Sequence, residues 1–182
     1  ERKPLMSLFA KLSAAATALL LAACASTPAT QYFSLPNSAF VPPAGQSSGQ
    51  TAVQIILAEP LGQGGLVYQT DAHRLNFARH HLWAAPLDQS LAAAFSNRLN
   101  RHGSARFVPY GRGNGLPVLK IYIEQFQGSF QGHTIVSGYA QWPNGRTTPF
   151  NIQTPQQGDG YPAMVESLSQ GLNRAADTVG GH

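Results

Sequence analysis

The chain has 182 residues, of which only 11% are charged, with 18 glycines, 13 prolines and a single cysteine. That length suits one folded domain of many turns and a weakly charged surface, and excludes a two-domain enzyme, an internal disulfide and a thiolate zinc cage. The formal charge is +4, but three of the 12 basic residues and one of the 8 acids precede Cys24, so the remainder is only slightly basic and carries no nucleic-acid footprint.

Residues 1–23 read as a signal peptide. Basic Arg2, Lys3 and Lys11 are followed by an uncharged stretch from Leu12 to Ala23 centred on Leu19, Leu20 and Leu21, too short for a membrane span. Its ending, Leu21-Ala22-Ala23-Cys24, resembles the bacterial lipobox, which predicts cleavage before Cys24 and acylation of the thiol. Two or more acyl chains anchor stably where one holds only marginally. Ala25 and Ser26 follow, and the lack of Asp after the cysteine resembles the outer-membrane sorting pattern.

Residues 25–52 are uncharged and rich in Ala, Ser, Thr, Gln, Pro and Gly, the composition of a spacer. Within it, residues 31–35 form an aromatic, β-favouring island stopped by Pro36, expected as an ordered edge strand. The folded domain is expected over 53–182. Val53 to Leu57 reads as a buried strand, and Leu66 to Gln69 and Arg74 to Phe77 as short strands. A helix follows Pro86, with Leu87, Leu91, Phe95 and Leu99 as its stripe, Asp88 near its start, Arg98 and Arg101 near its end, and Gly103 closing it.

Ala105 to Pro109 reads as a short strand and Tyr110 to Pro117 as a loop. Val118 to Phe126 alternates, with Leu119, Ile121 and Ile123 on one face. Thr134 to Trp142 and Thr147 to Ile152 follow, joined by the hairpin signal Pro143-Asn144-Gly145-Arg146, so the three should form an antiparallel meander. Pro162 to Val179 reads as a second amphipathic helix with Met164, Leu168, Leu172, Ala175 and Val179 inward. The expected fold is α+β, two layers: a single, mostly antiparallel mixed sheet with both helices on the face of Leu119, Ile121 and Ile123. The opposite face is left for partners.

Catalytic patterns are weak. Gly45-Gln46-Ser47-Ser48-Gly49 has the letters of a nucleophile elbow but precedes a strand where a helix is required. Gly111 to Gly115 lacks a third glycine at the spacing of a dinucleotide loop and precedes a strand instead of a helix. His73, His80 and His81 lack a nearby Cys or carboxylate at supporting spacing, and the acids are scattered without a close pair. No catalytic residue, cofactor or metal is expected. A secreted hydrolase using Ser47, or His80 and His81, is the disfavoured class.

Together, the lipobox at Cys24, Tyr32-Phe33-Ser34-Leu35-Pro36, Glu59-Pro60-Leu61, Leu66-Val67-Tyr68 and Trp83-Ala84-Ala85-Pro86-Leu87 resemble the PqiC/YmbA-type ABC-type transport auxiliary lipoprotein family, over most of the chain after the signal. The pattern departs at Gln69, where a basic residue commonly stands, and at Ala85, where an acid often does. The resemblance implies a non-enzymatic, outer-membrane-anchored periplasmic domain. It would work with an MCE-domain protein spanning the periplasm and an inner-membrane transport component in lipid movement, and as a homo-oligomer. It marks Cys24 for lipidation and Tyr32, Leu35, Pro36, Trp83, Pro86 and Leu87 as structural or interface positions. The alternative is an envelope assembly or structural lipoprotein unconnected with lipid transport.

Overall fold

The computed structural model of the chain describes residues 28–44, 49–101 and 105–181. Cys24 with its signal, Ser47 and Gly103 lie outside them. Eight strands form one sheet: β1 (Gln31–Phe33), β2 (Gln50–Leu57), β3 (Gly65–Gln69), β4 (Leu75–Trp83), β5 (Arg106–Pro109), β6 (Val118–Ser129), β7 (His133–Gln141) and β8 (Thr147–Pro155). Two helices complete the domain, α1 (Leu87–Leu99) and α2 (Gly160–Gly180).

β6 is the spine. Its 120–128 stretch pairs antiparallel with β7, which pairs antiparallel with β8, so the expected meander is present. The β7–β8 turn follows its sequence signal: Gly145 takes φ 85°, the Trp142 N–H donates to Arg146 O at 2.8 Å, and the Arg146 guanidinium lies over the Trp142 ring. A strand has two edges, and β7 occupies one, so β2 and β3 must share the other. β2 pairs with residues 118–123 of β6, and β3 with Gly128 and Ser129. The sheet therefore forks at β6, one branch continuing to β5 and the other through β4 to β1.

The fork corrects the expected pairing. Four of the seven strand pairings are parallel (β1 with β4, β2 with β5, β2 with β6, β3 with β6) and three antiparallel, so the sheet is not mostly antiparallel. The reason is connection length. Only strands joined by tight turns are forced antiparallel, whereas β2 and β6 are separated by a long excursion that includes α1 and lets the chain return in the same direction. Apolar alternation reports which face is buried and carries no information on direction.

Both helices pack on the face of Leu119, Ile121 and Ile123, each fully buried. α1 lies against β2 and β5, α2 against β6, β7 and β8, and the two touch one another. The stripes are as expected, Leu87, Leu91, Phe95 and Leu99 on α1 and Met164, Leu168, Leu172, Ala175 and Val179 on α2, all buried. α1 is also buried at Ser90, Ala92, Ala93, Ala94 and Ser96, nearly all round its middle. Small side chains there admit a second layer: the backbone of residues 37–41 is tied across the helix by Asn97. Arg98 on α1 grips Asp177 on α2 with two parallel hydrogen bonds, Nε to Oδ1 and Nη2 to Oδ2, each 2.6 Å.

Candidate functional site

Apart from Cys24, which lies outside the described residues, the positions singled out by the resemblance fall on β1, on the end of β4 or just after them. β1 runs parallel to the end of β4, with Tyr32 opposite Leu82 and Phe33 opposite Trp83. Its Phe33 carbonyl accepts from Ala84 N–H at 2.9 Å, while Trp83 N–H donates to Gly64 O at 2.8 Å. Leu35, Trp83 and Leu87 enter one core cluster at 3%, 8% and 4% exposure. Trp83 tilts against Phe126 with ring centroids 5.8 Å apart. Pro36 is half-buried, Pro86 is exposed, and Tyr32 stands out at 67%. Leu35, Trp83 and Leu87 are thus all buried in the core, while Tyr32 and Pro86 are on the surface. Of the departures, Ala85 is exposed, and half-buried Gln69 uses its carbonyl to accept from Phe130 N–H.

The histidines part company. The His73 N–H donates to Asp71 in a polar turn, where that bond and the Arg74 side chain, 2.5 Å from the carboxylate, hold the Asp71 carboxyl below its ordinary pKa. His80 buries Nδ1 without a hydrogen-bond partner. His81 instead stacks on Tyr161 with centroids 4.1 Å apart and 25° between planes, and Phe33 completes a three-ring group at about 6 Å from each. Among the described residues no three His, Cys, Asp or Glu side chains come together as metal ligands. The Arg98–Asp177 pair raises the Arg98 pKa, chiefly through its hydrogen bonds, and serves to join the helices.

Tyr161 connects this corner to a hollow of about 510 Å³ where α2 starts. Its lining includes Tyr68 from β3, Phe130 from the β6–β7 turn, Met164 and Asp159. The rim is tied by backbone: Phe130 N–H to Gln69 O at 2.9 Å, Gly132 N–H to Ser129 O at 3.1 Å, Gln156 N–H to Gly132 O at 2.9 Å. The Gln156 side-chain amide donates to Gly158 O at 3.0 Å. Gly132, Gly158 and Gly160 all hold φ near +80°, which only glycine adopts without strain. Gly128 lies against the same wall, and a methyl there would strike Met164 Sδ and approach the Tyr68 ring to 2.9 Å. The sequence singles out neither Tyr161 nor Phe130, and Asp159 reads there as a helix-start residue. Their one local signal is the Gly-Asp-Gly run ahead of an amphipathic helix, which also reads as an ordinary helix start.

The architecture is a forked sheet with helices on one face, a ring-lined hollow, and a corner formed by a short edge strand. The chain belongs to the ABC-type transport auxiliary lipoprotein family, whose pattern it matches over residues 33–180. It is similar to the intermembrane transport lipoprotein PqiC of Escherichia coli K12, with 30% identity over 172 residues covering 89% of this chain and 91% of that one, and equally to PqiC of Shigella flexneri. A crystal structure of an uncharacterized protein superposes with a TM-score of 0.71 at 26% identity, covering 85% of this chain and 98% of that one. Protein XCC0632 from Xanthomonas campestris superposes at 0.62 and 15% identity, covering 86% and 93%, which shows a shared fold.

Proposed function

We propose that this chain is an accessory subunit of an MCE-type intermembrane lipid transport system, held by acylated Cys24 on the periplasmic face of the outer membrane. The observation that carries the reading is the likeness to PqiC along nearly the whole of both chains, joined to membership of a transport auxiliary family. The lipobox supplies the anchor. Among the described residues no helix is long and apolar enough to cross a membrane.

The fold suits an accessory more than an enzyme. Gln31 follows Cys24 by seven residues, so β1 can stand no more than about 25 Å from the lipidated sulfur at roughly 3.5 Å per residue. Exposed Tyr32 and Pro86 would then face partners near the bilayer, with Leu35, Trp83 and Leu87 fixing them from beneath. The sheet face away from the helices, where Tyr122 and Tyr139 stack at 4.5 Å, offers a second surface to an MCE-domain protein or to another copy of the chain.

The test is purification from envelope membranes, with mass analysis of the amino-terminal peptide and of the associated proteins. A diacylated Cys24 peptide and a co-purifying MCE-domain protein are expected, and Cys24→Ala should release the chain from the membrane fraction. A lipidated chain that never retains an MCE-domain protein would leave it an envelope lipoprotein of another system. Retention of Cys24→Ala in membranes would remove the anchor.

A further inference from the structure

We propose that the hollow at the start of α2 is a binding site for an organic ammonium group, an amine or quaternary amine carried by a small molecule or by a lipid head. The inference is independent of the transport reading, because it rests on the lining alone.

The lining has one chemical bias. Tyr68, Phe130 and Tyr161 supply aromatic rings, Met164 a polarizable sulfur, and Asp159 the one charged side chain among the lining residues. Aromatic faces attract cations through their quadrupoles, and a carboxylate in the lining adds a full charge of the right sign. The start of a helix opposes this with a positive end equivalent to about half a charge. Here that end is weakened: Pro162 has no N–H to offer in the first turn, and the full charge of Asp159 outweighs what remains. Asp159 makes no side-chain capping hydrogen bond, so its carboxylate is not spent on the helix. A free phosphate or carboxylate would meet Asp159 and no base.

The site is also pre-formed. The three backbone bonds around Ser129, Gly132 and Gln156 fix the rim, and His81 stacked at 4.1 Å with Phe33 beyond holds the Tyr161 ring. Phe130 is 46% exposed in the β6–β7 turn, so part of its ring is open to a ligand in the hollow. A volume of about 510 Å³ lies in the range of small-ligand sites and exceeds what a trimethylammonium head alone fills, leaving room for its chain.

The experiment is calorimetric titration of the lipoprotein, purified in dodecyl maltoside, with choline chloride, with its uncharged carbon isostere 3,3-dimethylbutan-1-ol, and with inorganic phosphate. Choline is expected to bind at least about fivefold more tightly than the isostere, and phosphate not at all. Asp159→Asn, a substitution that keeps a good helix-cap residue, and Phe130→Leu, at an exposed turn, should each weaken choline about three- to tenfold while leaving the melting temperature within a degree or two. Competition by vesicles of phosphatidylethanolamine but not phosphatidylglycerol assigns the amine to a lipid head; indifference to both assigns it to a soluble amine. Equal binding of choline and its isostere, binding of phosphate, or full choline affinity in both variants overturns the proposal.

Discussion

The side-chain carbonyl of Asn97 accepts the backbone N–H of Val41 at 2.9 Å, across 56 residues of chain. The same amide donates to Asn37 O and Ala39 O at 2.9 and 2.8 Å. One side chain on α1 therefore ties three backbone groups of a segment whose composition alone reads as spacer. Asn97→Ala should cost about 1 to 2 kcal/mol, because three partly solvated hydrogen bonds are exchanged for bonds to water. Hydrogen exchange is expected to quicken at residues 37–41 while β6 and β7 keep their protection. Unchanged exchange at Val41 would show that something other than Asn97 holds the segment.

Gly138 sits opposite the irregularity in β6, where the register shifts between Ile123 and Gln125. A methyl group there would overlap the Tyr122 carbonyl oxygen and press on Phe150 at 3.2 Å, and neither a backbone carbonyl in a central strand nor a buried ring can withdraw. Gly138→Ala should destabilise the domain by more than about 3 kcal/mol, in the range of severe core overpacking. Gly145→Ala in the hairpin turn meets only its own positive φ, with open space around it, and should cost about 1 kcal/mol. Urea denaturation of the two variants gives the order; equal losses would mean that the β6 irregularity relaxes to admit a side chain.

How far the sequence reveals this fold depends on the range of the interaction concerned. The β6–β7–β8 meander is legible because its turns are short and the Asn144-Gly145 pair states its own geometry. The helix stripes are legible because Leu91 or Leu172 repeats at the helical period. The parallel pairings are not, since Val53 opposite Leu119 and Phe33 opposite Trp83 depend on where long connections return the chain. The same holds at the candidate site. Trp83 and Leu87 are near neighbours in sequence, and their link to Leu35 came through a family resemblance. The stack of His81 on Tyr161 joins β4 to the start of α2, and no spacing rule connects them.

Trp83 and Tyr32 should separate stability from recognition. Trp83→Ala removes a nearly buried indole from the Phe126 contact and should cost about 3 to 5 kcal/mol. Tyr32→Ala, on an exposed ring, should change stability by no more than about 0.5 kcal/mol. In the proposed assembly it should nonetheless reduce recovery of the MCE-domain partner. A Tyr32→Ala chain that captures its partner in full would confine Tyr32 to a passive place on the edge strand.

The acid side of the stability profile should carry a small local signature. In the folded chain the His73 N–H and Arg74 hold the Asp71 carboxyl below its usual pKa. A carboxyl depressed on folding contributes stability that is fully present above its unfolded pKa of about 4, and that is lost as pH falls through the lower folded value. Stability should therefore fall with acid below about pH 4, and Asp71→Asn should flatten that limb of the profile while leaving pH 7 to 9 unchanged in slope. Melting temperatures taken from pH 2 to 9 provide the comparison. A parallel displacement of the whole curve would mean that the turn matters through its shape alone.

Arg98 of the Arg98–Asp177 pair should act in the opposite sense with pH and far outside that window. Its hydrogen bonds raise the Arg98 pKa above an already high value, so the arginine's share of stability is present throughout ordinary conditions and lost only at extreme alkalinity. Both side chains are about one-quarter exposed, between a surface ion pair and a buried one. A double-mutant cycle with Arg98→Met and Asp177→Asn should give a coupling of about 1 to 2 kcal/mol, above the usual exposed pair because the contact is bidentate. Because the pair joins α1 to α2, breaking it should loosen the helices against each other before the strands exchange. A coupling near zero would mean that apolar packing alone, through Leu99, Leu172 and their neighbours, sets the angle between the helices.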